Sequence, residues 1–289
     1  KTPYLCVYFN MTFNCPTGKP HISFSEIKTW KECPYRHKLT YIDKIDTFKP
    51  SPFLDFGTAV HEGAESFLNE GIVPREKLVN EIREAWLKNG FDNPEWIKKQ
   101  PGWYLKSSNV GVEKWIDWAN NMWDEIPSYL DETFPGWQPV MAEEALYEDI
   151  PEFDIKFKGF IDVIIKEPRK NGSWKYWILD WKTASPRGWS RSKQQDFNMQ
   201  AQLILYKHFW GEKNKINMRD IGCGFILLKR GGKKGSICSL VKVSAGPAAI
   251  EKAQKMTRSM IKTVQKKFFL KNRNSCTFCD YKDTEHCPG

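Results

Sequence analysis

The sequence predicts a mixed α/β fold with a helical insertion. Three observations predict it: the alternation typical of strands, the three- and four-residue spacing typical of helices, and the apolar content. Five apolar or alternating segments predict strands, at residues 140–150, 156–166, 175–182, 220–229 and 236–243. Segments with apolar residues three and four apart predict helices around them. Apolar residues make up 40% of the 289-residue chain, which is enough for a substantial core. We therefore expect one compact domain over residues 1–289, with a mixed central sheet flanked by helices.

The first predicted helix covers residues 56–68, where apolar side chains follow helical spacing. Thr58 is a plausible N-cap, which would put His61 in the first turns. A histidine at this place can bind a metal or a phosphate. It can equally be an ordinary structural residue.

A helical insertion is expected over residues 74–132, which are rich in Trp and in charged residues. Helical segments are predicted near residues 76–88 and 112–130. This insertion would either form one wall of a substrate channel or support the sheet.

A β-hairpin is predicted over residues 159–182. The two apolar runs are separated by turn residues, among them Pro168, Asn171 and Gly172. Folding the hairpin would bring Asp162 near Asp180, and Lys182 would share a face with Asp180 because the two are separated by one residue of a strand.

Two carboxylates and a lysine at one site are typical of metal-dependent phosphodiester hydrolysis. Mg²⁺ prefers oxygen ligands and usually takes one or two carboxylates from a protein. The ammonium group of Lys182 can orient a water or stabilise developing charge. The alternative is that these residues are solvated charges at strand ends.

A later helix, near residues 197–210, places Gln202 and Tyr206 four residues apart on one face. They could support Lys182 or contact a phosphate. Alternatively, they belong to an amphipathic helix that only packs on the core.

The net charge of +9 favours a polyanionic partner but also fits many solvated surfaces. Lysines and arginines cluster in the loop at residues 229–234 and along a helix predicted at residues 251–270. Either segment could follow a nucleic-acid backbone, or it could be a solvated surface.

A cysteine-rich tail is expected over residues 271–289, with Cys276, Cys279 and Cys287. Thiolates at this spacing bind zinc or an iron–sulfur cluster, and three of them need a fourth ligand, either Cys33 or His286. Disulfides are less favoured because no signal-like apolar segment opens the chain. The remaining four cysteines are expected to be ordinary thiols: Cys6, Cys15, Cys223 and Cys238.

The order of these motifs over nearly the whole chain resembles the RecB-like branch of the PD-(D/E)XK nucleases. The similarity is to its iron–sulfur members, found among AddB nuclease domains, CRISPR adaptation nucleases and phage exonucleases. The matching positions are Ser23, Ser25 and Cys33, then Gly57 and His61, Gly159 with Asp162, Asp180 with Lys182, Gln202 with Tyr206, and the three C-terminal cysteines.

The resemblance implies a restriction-endonuclease-like core and assigns roles by position. His61, Asp162, Asp180 and the Trp181 carbonyl would bind Mg²⁺ or Mn²⁺, and Lys182 would assist the attacking water. Gln202 and Tyr206 would support the site. A [4Fe–4S] cluster would join the two ends of the chain through four cysteines: Cys33, Cys276, Cys279 and Cys287.

The implied activity is that of a DNA exonuclease acting on single strands or DNA ends in repair, recombination or replication. A helicase or recombinase partner would fit this role. A non-catalytic nucleic-acid-binding module is the main alternative, although intact Asp162, Asp180 and Lys182 argue against it. No transmembrane-length apolar segment is visible, so we expect a soluble cytoplasmic protein without a membrane partner. No pattern predicts an oligomeric state.

The sequence departs from the family pattern in two places, and the position of one acidic residue stays open. No proline precedes Asp162, although one is common in this branch. The gap between Cys279 and Cys287 is longer than is usual in the family, which leaves His286 available as a ligand. A nuclease with a structural zinc site and no iron–sulfur cluster therefore remains an alternative. A further acidic position falls on either Glu143 or Glu144, in the strand before the hairpin.

Overall fold

The computed structural model describes residues 16–288, so Cys6 and Cys15 lie outside the described part of the chain. The chain forms two compact units. One contains residues 16–47, 147–159 and 255–288, and the other contains residues 48–146 and 160–254. No helix between residues 16 and 288 combines the length and the apolar content needed to cross a bilayer.

Six strands form a mixed sheet, which confirms the predicted fold class. They are β1 (His21–Ser23), β2 (Gln138–Asp149), β3 (Lys156–Pro168), β4 (Trp174–Ala184), β5 (Ile221–Lys229) and β6 (Cys238–Val243). Their order is β1-β3-β4-β5-β6, with β2 also paired to β3. The hairpin partners β3 and β4 are antiparallel, as are β5 and β6, whereas β4 and β5 are parallel.

Ten α-helices are present in the described residues. They contain the predicted helical segments at residues 56–68, 76–88, 112–130 and 197–210, and they overlap the one predicted at residues 251–270. They are α1 (Phe24–Glu32), α2 (Pro34–His37), α3 (Pro52–Glu70), α4 (Arg75–Asn89), α5 (Pro94–Lys98), α6 (Gly102–Ser107), α7 (Val112–Thr133), α8 (Arg191–Gln194), α9 (Phe197–Asn214) and α10 (Pro247–Gln265). Because β4 and β5 are parallel neighbours, their connection must cross over the sheet, and α8 and α9 form it.

The helix that carries His61 begins earlier than predicted. Ser51 is the N-cap of α3, since its side chain accepts a hydrogen bond from the Phe53 backbone N–H at 3.3 Å, and Pro52 occupies the first helical position. Thr58 lies inside the helix, where its hydroxyl donates to the Leu54 carbonyl at 3.1 Å. The predicted cap at Thr58 is therefore wrong, and His61 sits in the third turn rather than the first.

The larger unit is held by an aromatic core in which α7 packs closely on α3. Trp115 and Trp123 are among its largest fully buried side chains. The Trp123 indole N–H donates to the Val60 carbonyl at 3.2 Å, and the indole covers Gly63. A Cβ atom at Gly63 would lie 2.3 Å from Trp123 Nε1, so only glycine permits this approach of the two helices.

We expect Gly63→Ala to destabilise the protein by about 1–3 kcal/mol, because the added methyl group overpacks a filled core. Thermal unfolding monitored by circular dichroism checks this. Gly102→Ala is the matched control, since a Cβ at the start of α6 meets no atom within 4 Å. Equal melting temperatures for the two variants would contradict the tight packing of Trp123 on α3.

The smaller unit ties the C-terminal segment to the region around α1 and α2. Side chains of Asn272 and Ser275 donate to the Glu32 carbonyl, each at 2.7 Å. The buried Tyr281 donates its hydroxyl to the Ile45 carbonyl at 2.9 Å. An ion pair between Arg36 and Asp280 at 3.7 Å adds to these bonds, so both backbone carbonyls and a pair of charges hold the tail.

Candidate active site

The hairpin of β3 and β4 brings the two predicted aspartates together. Paired residues in its ladder run from Pro168↔Trp174 to Val163↔Leu179, and Asp162 and Asp180 are the next residue on each strand. Asp162 does not continue the ladder through its backbone there. Instead its Oδ2 accepts a hydrogen bond from the Trp181 N–H at 3.0 Å. The carboxylates therefore meet where the strands stop pairing.

Lys182 and His61 complete this cluster. The Lys182 ammonium lies 2.5 Å from Asp180 Oδ2, and His61 Nδ1 lies 3.4 Å from Asp162 Oδ2. Asp180 is only 1% exposed, whereas His61 and Lys182 keep about a third of their side chains accessible, at 32% and 28%. The site therefore has a buried acidic floor and an accessible rim.

Burial and mutual repulsion shift the pKa values of both carboxyl groups. Burial raises the pKa of Asp162 to about 6, against the opposing effect of Lys182. Burial and the charge of Asp162 raise the pKa of Asp180 to about 6. Two carboxylates that resist ionisation side by side are typical of a site that a cation stabilises.

The two basic groups respond in opposite directions. Burial and the neighbouring Lys182 lower the pKa of His61 to about 4, so its imidazole is neutral near pH 7. Burial alone would lower the pKa of Lys182, but Asp180 and Asp162 raise it above its ordinary value. A neutral imidazole can bind a metal, and a charged ammonium can donate to an anionic substrate.

A cavity of about 780 Å³ adjoins this cluster, and residues along nearly the whole length of α3, from Phe53 to Glu70, form much of its wall. His61, Glu143 and Lys182 line it, together with Glu62 and Glu65. Its acidic lining would repel a polyanion unless a cation were bound.

The structure distinguishes the two glutamates that the sequence left open. Glu143 lines the cavity, and burial together with Asp180 raises its pKa. Glu144 forms an ion pair with Lys213 at 2.7 Å instead. Glu143 has a φ of 53° inside β2, in the left-handed region that non-glycine residues rarely occupy. Such strain is often found at functional sites.

Gln202 and Tyr206 lie together on α9, where Gln202 Nε2 donates to the Tyr206 hydroxyl at 3.3 Å. Burial and the charges of Asp180 and Asp162 contribute to raising the pKa of Tyr206 to about 12, although the Gln202 hydrogen bond opposes the shift. This residue pair therefore lies within the electrostatic field of the carboxylates without lining the main cavity.

The four predicted cluster cysteines line one separate cavity of about 470 Å³ in the smaller unit. Cys33 Sγ accepts backbone N–H groups from Asn272 at 3.3 Å and Arg36 at 3.5 Å. His286 does not line this cavity; in the described chain its backbone carbonyl accepts from Tyr35 at 3.1 Å. This arrangement favours cysteine over His286 as the fourth ligand of any metal there.

The family follows from the sequence as a whole. Residues 21–287 match the family described as the PD-(D/E)XK nuclease superfamily, which is nearly the entire chain. The chain belongs to this superfamily. No curated protein matches this nuclease in sequence.

One solved structure supports the fold. The nuclease is similar to a candidate exonuclease from Eubacterium rectale, with a TM-score of 0.53 and 13% identity over 98% of this chain and 94% of that chain. SSO0001 matches with a TM-score of 0.32 and 12% identity, over 89% of this chain and 93% of that one. The first similarity supports the fold alone, and the second is too weak to add to it.

Nucleases of this superfamily typically use divalent metals such as Mg²⁺. The residues fit such an ion, because Asp180 Oδ1 is buried and has no hydrogen-bond partner in the described chain. An unpaired buried carboxylate oxygen is costly, and a hard cation would satisfy it. Within residues 16–288, no group of three or more His, Cys, Asp or Glu side chains lies close enough together to hold a metal ion as it stands. Ligand side chains would therefore adjust on binding, both here and in the cysteine cavity.

Proposed function

We propose that this chain is a metal-dependent deoxyribonuclease of the RecB-like branch, which degrades single-stranded DNA or DNA from its ends. The observation that supports this most directly is the buried Asp180, which has one unpaired oxygen and lies beside Asp162 and Lys182, because Lys182 lines a large cavity. Paired carboxylates with an adjacent ammonium suit hydrolysis of a phosphodiester.

The metal would be Mg²⁺ or Mn²⁺, held by His61, Asp162, Asp180 and the Trp181 carbonyl. When bound, it lowers the pKa of a water and offsets charge on the phosphate. The chain contributes the positions of these ligands. His61 stays neutral and available, while the Trp181 N–H fixes Asp162 through the 3.0 Å hydrogen bond.

Lys182 acts on the substrate. Its ammonium stays protonated beside Asp180 and Asp162, so it can donate to the attacking water or to a phosphate oxygen as negative charge develops. Gln202 and Tyr206 support the sheet side of the site, with the Tyr206 phenol remaining protonated.

The proposed substrate is DNA. The net charge of +9 attracts a polyanion, and the helices of residues 74–132 would form one wall of the channel that admits a strand. Repair, recombination or replication is the proposed setting, with a helicase or recombinase as a candidate partner.

The experiment is digestion of linear and circular single-stranded DNA, with 5′ or 3′ label on the linear form, in Mg²⁺, Mn²⁺ or EDTA. We expect loss of linear DNA only with metal, while circular DNA survives, and the label that is lost first gives the polarity. Cleavage of the circular DNA would show that the protein is an endonuclease rather than an exonuclease. Retained binding without cleavage in any metal would favour a non-catalytic module.

We also propose that Cys33, Cys276, Cys279 and Cys287 hold a [4Fe–4S] cluster, with structural zinc as the alternative. Their shared cavity supports this, as do the two N–H groups aimed at Cys33 Sγ, because such hydrogen bonds stabilise a ligating thiolate.

Glu143→Gln is expected to slow cleavage by about 10- to 100-fold, because it removes an acidic group that faces the metal site. Glu144→Gln is the matched control on the neighbouring residue, and we expect close to wild-type activity because Glu144 pairs with Lys213. Cleavage rates at saturating Mg²⁺ measure the difference. Equal rates for the two variants would remove Glu143 from the site.

A further inference from the structure

Beside the catalytic cavity lies a smaller basic cavity of about 270 Å³ that the mechanism does not use. Its lining residues are Ser108, Trp118, Ser185, Pro186, Arg187 and Arg230. None of them is acidic, in contrast to the lining of the catalytic cavity. The volume is below that of most sites for whole drug-sized ligands, so it suits a single chemical group with its immediate neighbours.

The Arg230 side chain is held by two aromatic rings and a hydrogen bond, but not every guanidinium nitrogen has a hydrogen-bond partner in the described chain. Its carbon Cζ lies 4.3 Å from the centre of the Phe53 ring and 5.2 Å from that of Trp115. Its backbone N–H and its Nε donate to the Ala184 carbonyl at 2.9 and 3.3 Å. The Nη1 atom is buried and has no hydrogen-bond partner in the described chain.

A buried guanidinium donor without an acceptor is energetically costly. No carboxylate forms an ion pair with Arg230 or with the exposed Arg187 in the part of the chain described. Burial lowers the pKa of Arg230 to about 10, so the group remains charged near pH 7. An oxyanion in the cavity would supply the missing acceptor, and phosphate matches the planar donor fork of arginine.

The basic cavity adjoins the catalytic cavity. Phe53 lines the catalytic cavity and stacks on Arg230 of the basic one. Along the chain, Lys182 and Ser185 are three residues apart, which is about 10 Å of extended strand. That distance is about three nucleotide rises of a stacked strand, so one strand can reach both cavities.

We propose that the cavity between Arg187 and Arg230 binds a phosphate group of the nucleic-acid strand that the catalytic cavity cleaves. This inference rests on the proposed nuclease function. The acidic catalytic cavity repels DNA without a cation, and the basic cavity supplies attraction that does not depend on one. It therefore anchors the strand at a fixed distance from the scissile bond.

The test is binding in EDTA, where the proposed nuclease is inactive, so failure of this inference is separable from failure of the nuclease. Fluorescence anisotropy with labelled single-stranded oligonucleotides would compare wild type, Arg230→Gln and Arg187→Gln across a salt series. Arg219→Gln is the control, because Arg219 is an exposed arginine that lines neither cavity.

We expect Arg230→Gln to weaken binding about tenfold and to reduce the salt slope by about 0.7, which corresponds to one lost phosphate contact. Oligonucleotides with a 5′ phosphate, a 3′ phosphate or neither show whether the bound phosphate is a terminal or an internal one. A loss confined to one terminal phosphate assigns that end, and an equal loss with all three assigns an internal phosphate. Loss no greater than in Arg219→Gln would overturn the proposal.

Because Arg230 packs between aromatic rings, its substitution could destabilise the fold. The melting curve of the Arg230→Gln protein must therefore match that of wild type before the two affinities for DNA are compared. If Arg230→Gln unfolds, Arg187→Gln decides, because its side chain lies on the exposed rim. We expect a smaller loss of affinity with the same change in salt slope. Wild-type affinity and slope in that variant would then reject the phosphate site.

Discussion

Asp180→Asn should lose at least about 10³-fold in cleavage rate while it retains DNA binding. The substitution removes the most buried carboxylate of the cluster, and with it the charge that would hold the metal. Metal-ion catalysis supplies several kcal/mol of transition-state stabilisation, and each 1.4 kcal/mol is about tenfold in rate. Single-turnover cleavage of linear single-stranded DNA measures this loss.

The control for this variant is Asp220→Asn, which removes a carboxylate from the same unit. Asp220 pairs with Arg169 at 2.6 Å and lines neither the catalytic nor the basic cavity. We expect its cleavage rate to stay within about twofold of wild type, because surface ion pairs contribute little. Wild-type cleavage by Asp180→Asn would show that the catalytic centre lies elsewhere.

Cys276→Ser should lose the visible absorbance of a cluster and melt about 10–20 °C below wild type. A cluster that joins Cys33 to Cys276 closes a loop of more than 240 residues, and the entropy model gives about 5 kcal/mol for such a constraint. The measurements are iron content, absorbance near 400 nm and thermal unfolding, all on the same preparation.

Cys223→Ala is the control for Cys276→Ser, because Cys223 is a buried free thiol in β5 outside the cysteine cavity. We expect it to keep the metal content of wild type. A colourless wild-type protein with one zinc per chain would show that these cysteines hold zinc and not an iron–sulfur cluster. Wild-type stability and absorbance in Cys276→Ser would remove this residue from any metal site.

The positions of β2 to β6 were predictable because their patterns are local, whereas the three-residue strand β1 was not predicted. Alternation and turn residues located the hairpin, and with it the approach of Asp162 to Asp180. The start of α3 differs from the prediction because the apolar periodicity that places the helix begins only after Pro52. Ser51 followed by Pro52 is nevertheless a typical N-cap sequence. The predicted helix at residues 251–270 likewise began and ended too late, since α10 covers Pro247–Gln265.

Other features of the site depend on tertiary structure and carried no sequence signal. Strand alternation cannot choose between Glu143 and Glu144 when Glu143 adopts a left-handed backbone that breaks the alternation. Arg230 looked like one more residue of a basic loop. Phe53 and Trp115, which pack against Arg230, are far away in the sequence, so no local pattern sets this residue apart.

The most direct test of the catalytic centre is the cleavage of labelled single-stranded DNA by wild type and Lys182→Ala at saturating Mg²⁺, with binding measured in parallel. Removing one charge-stabilising donor costs about 10²- to 10³-fold in rate. We predict metal-dependent cleavage by wild type, a loss of that size in Lys182→Ala, and binding by both. Equal cleavage by the two proteins would contradict the assignment of this cluster as the active site.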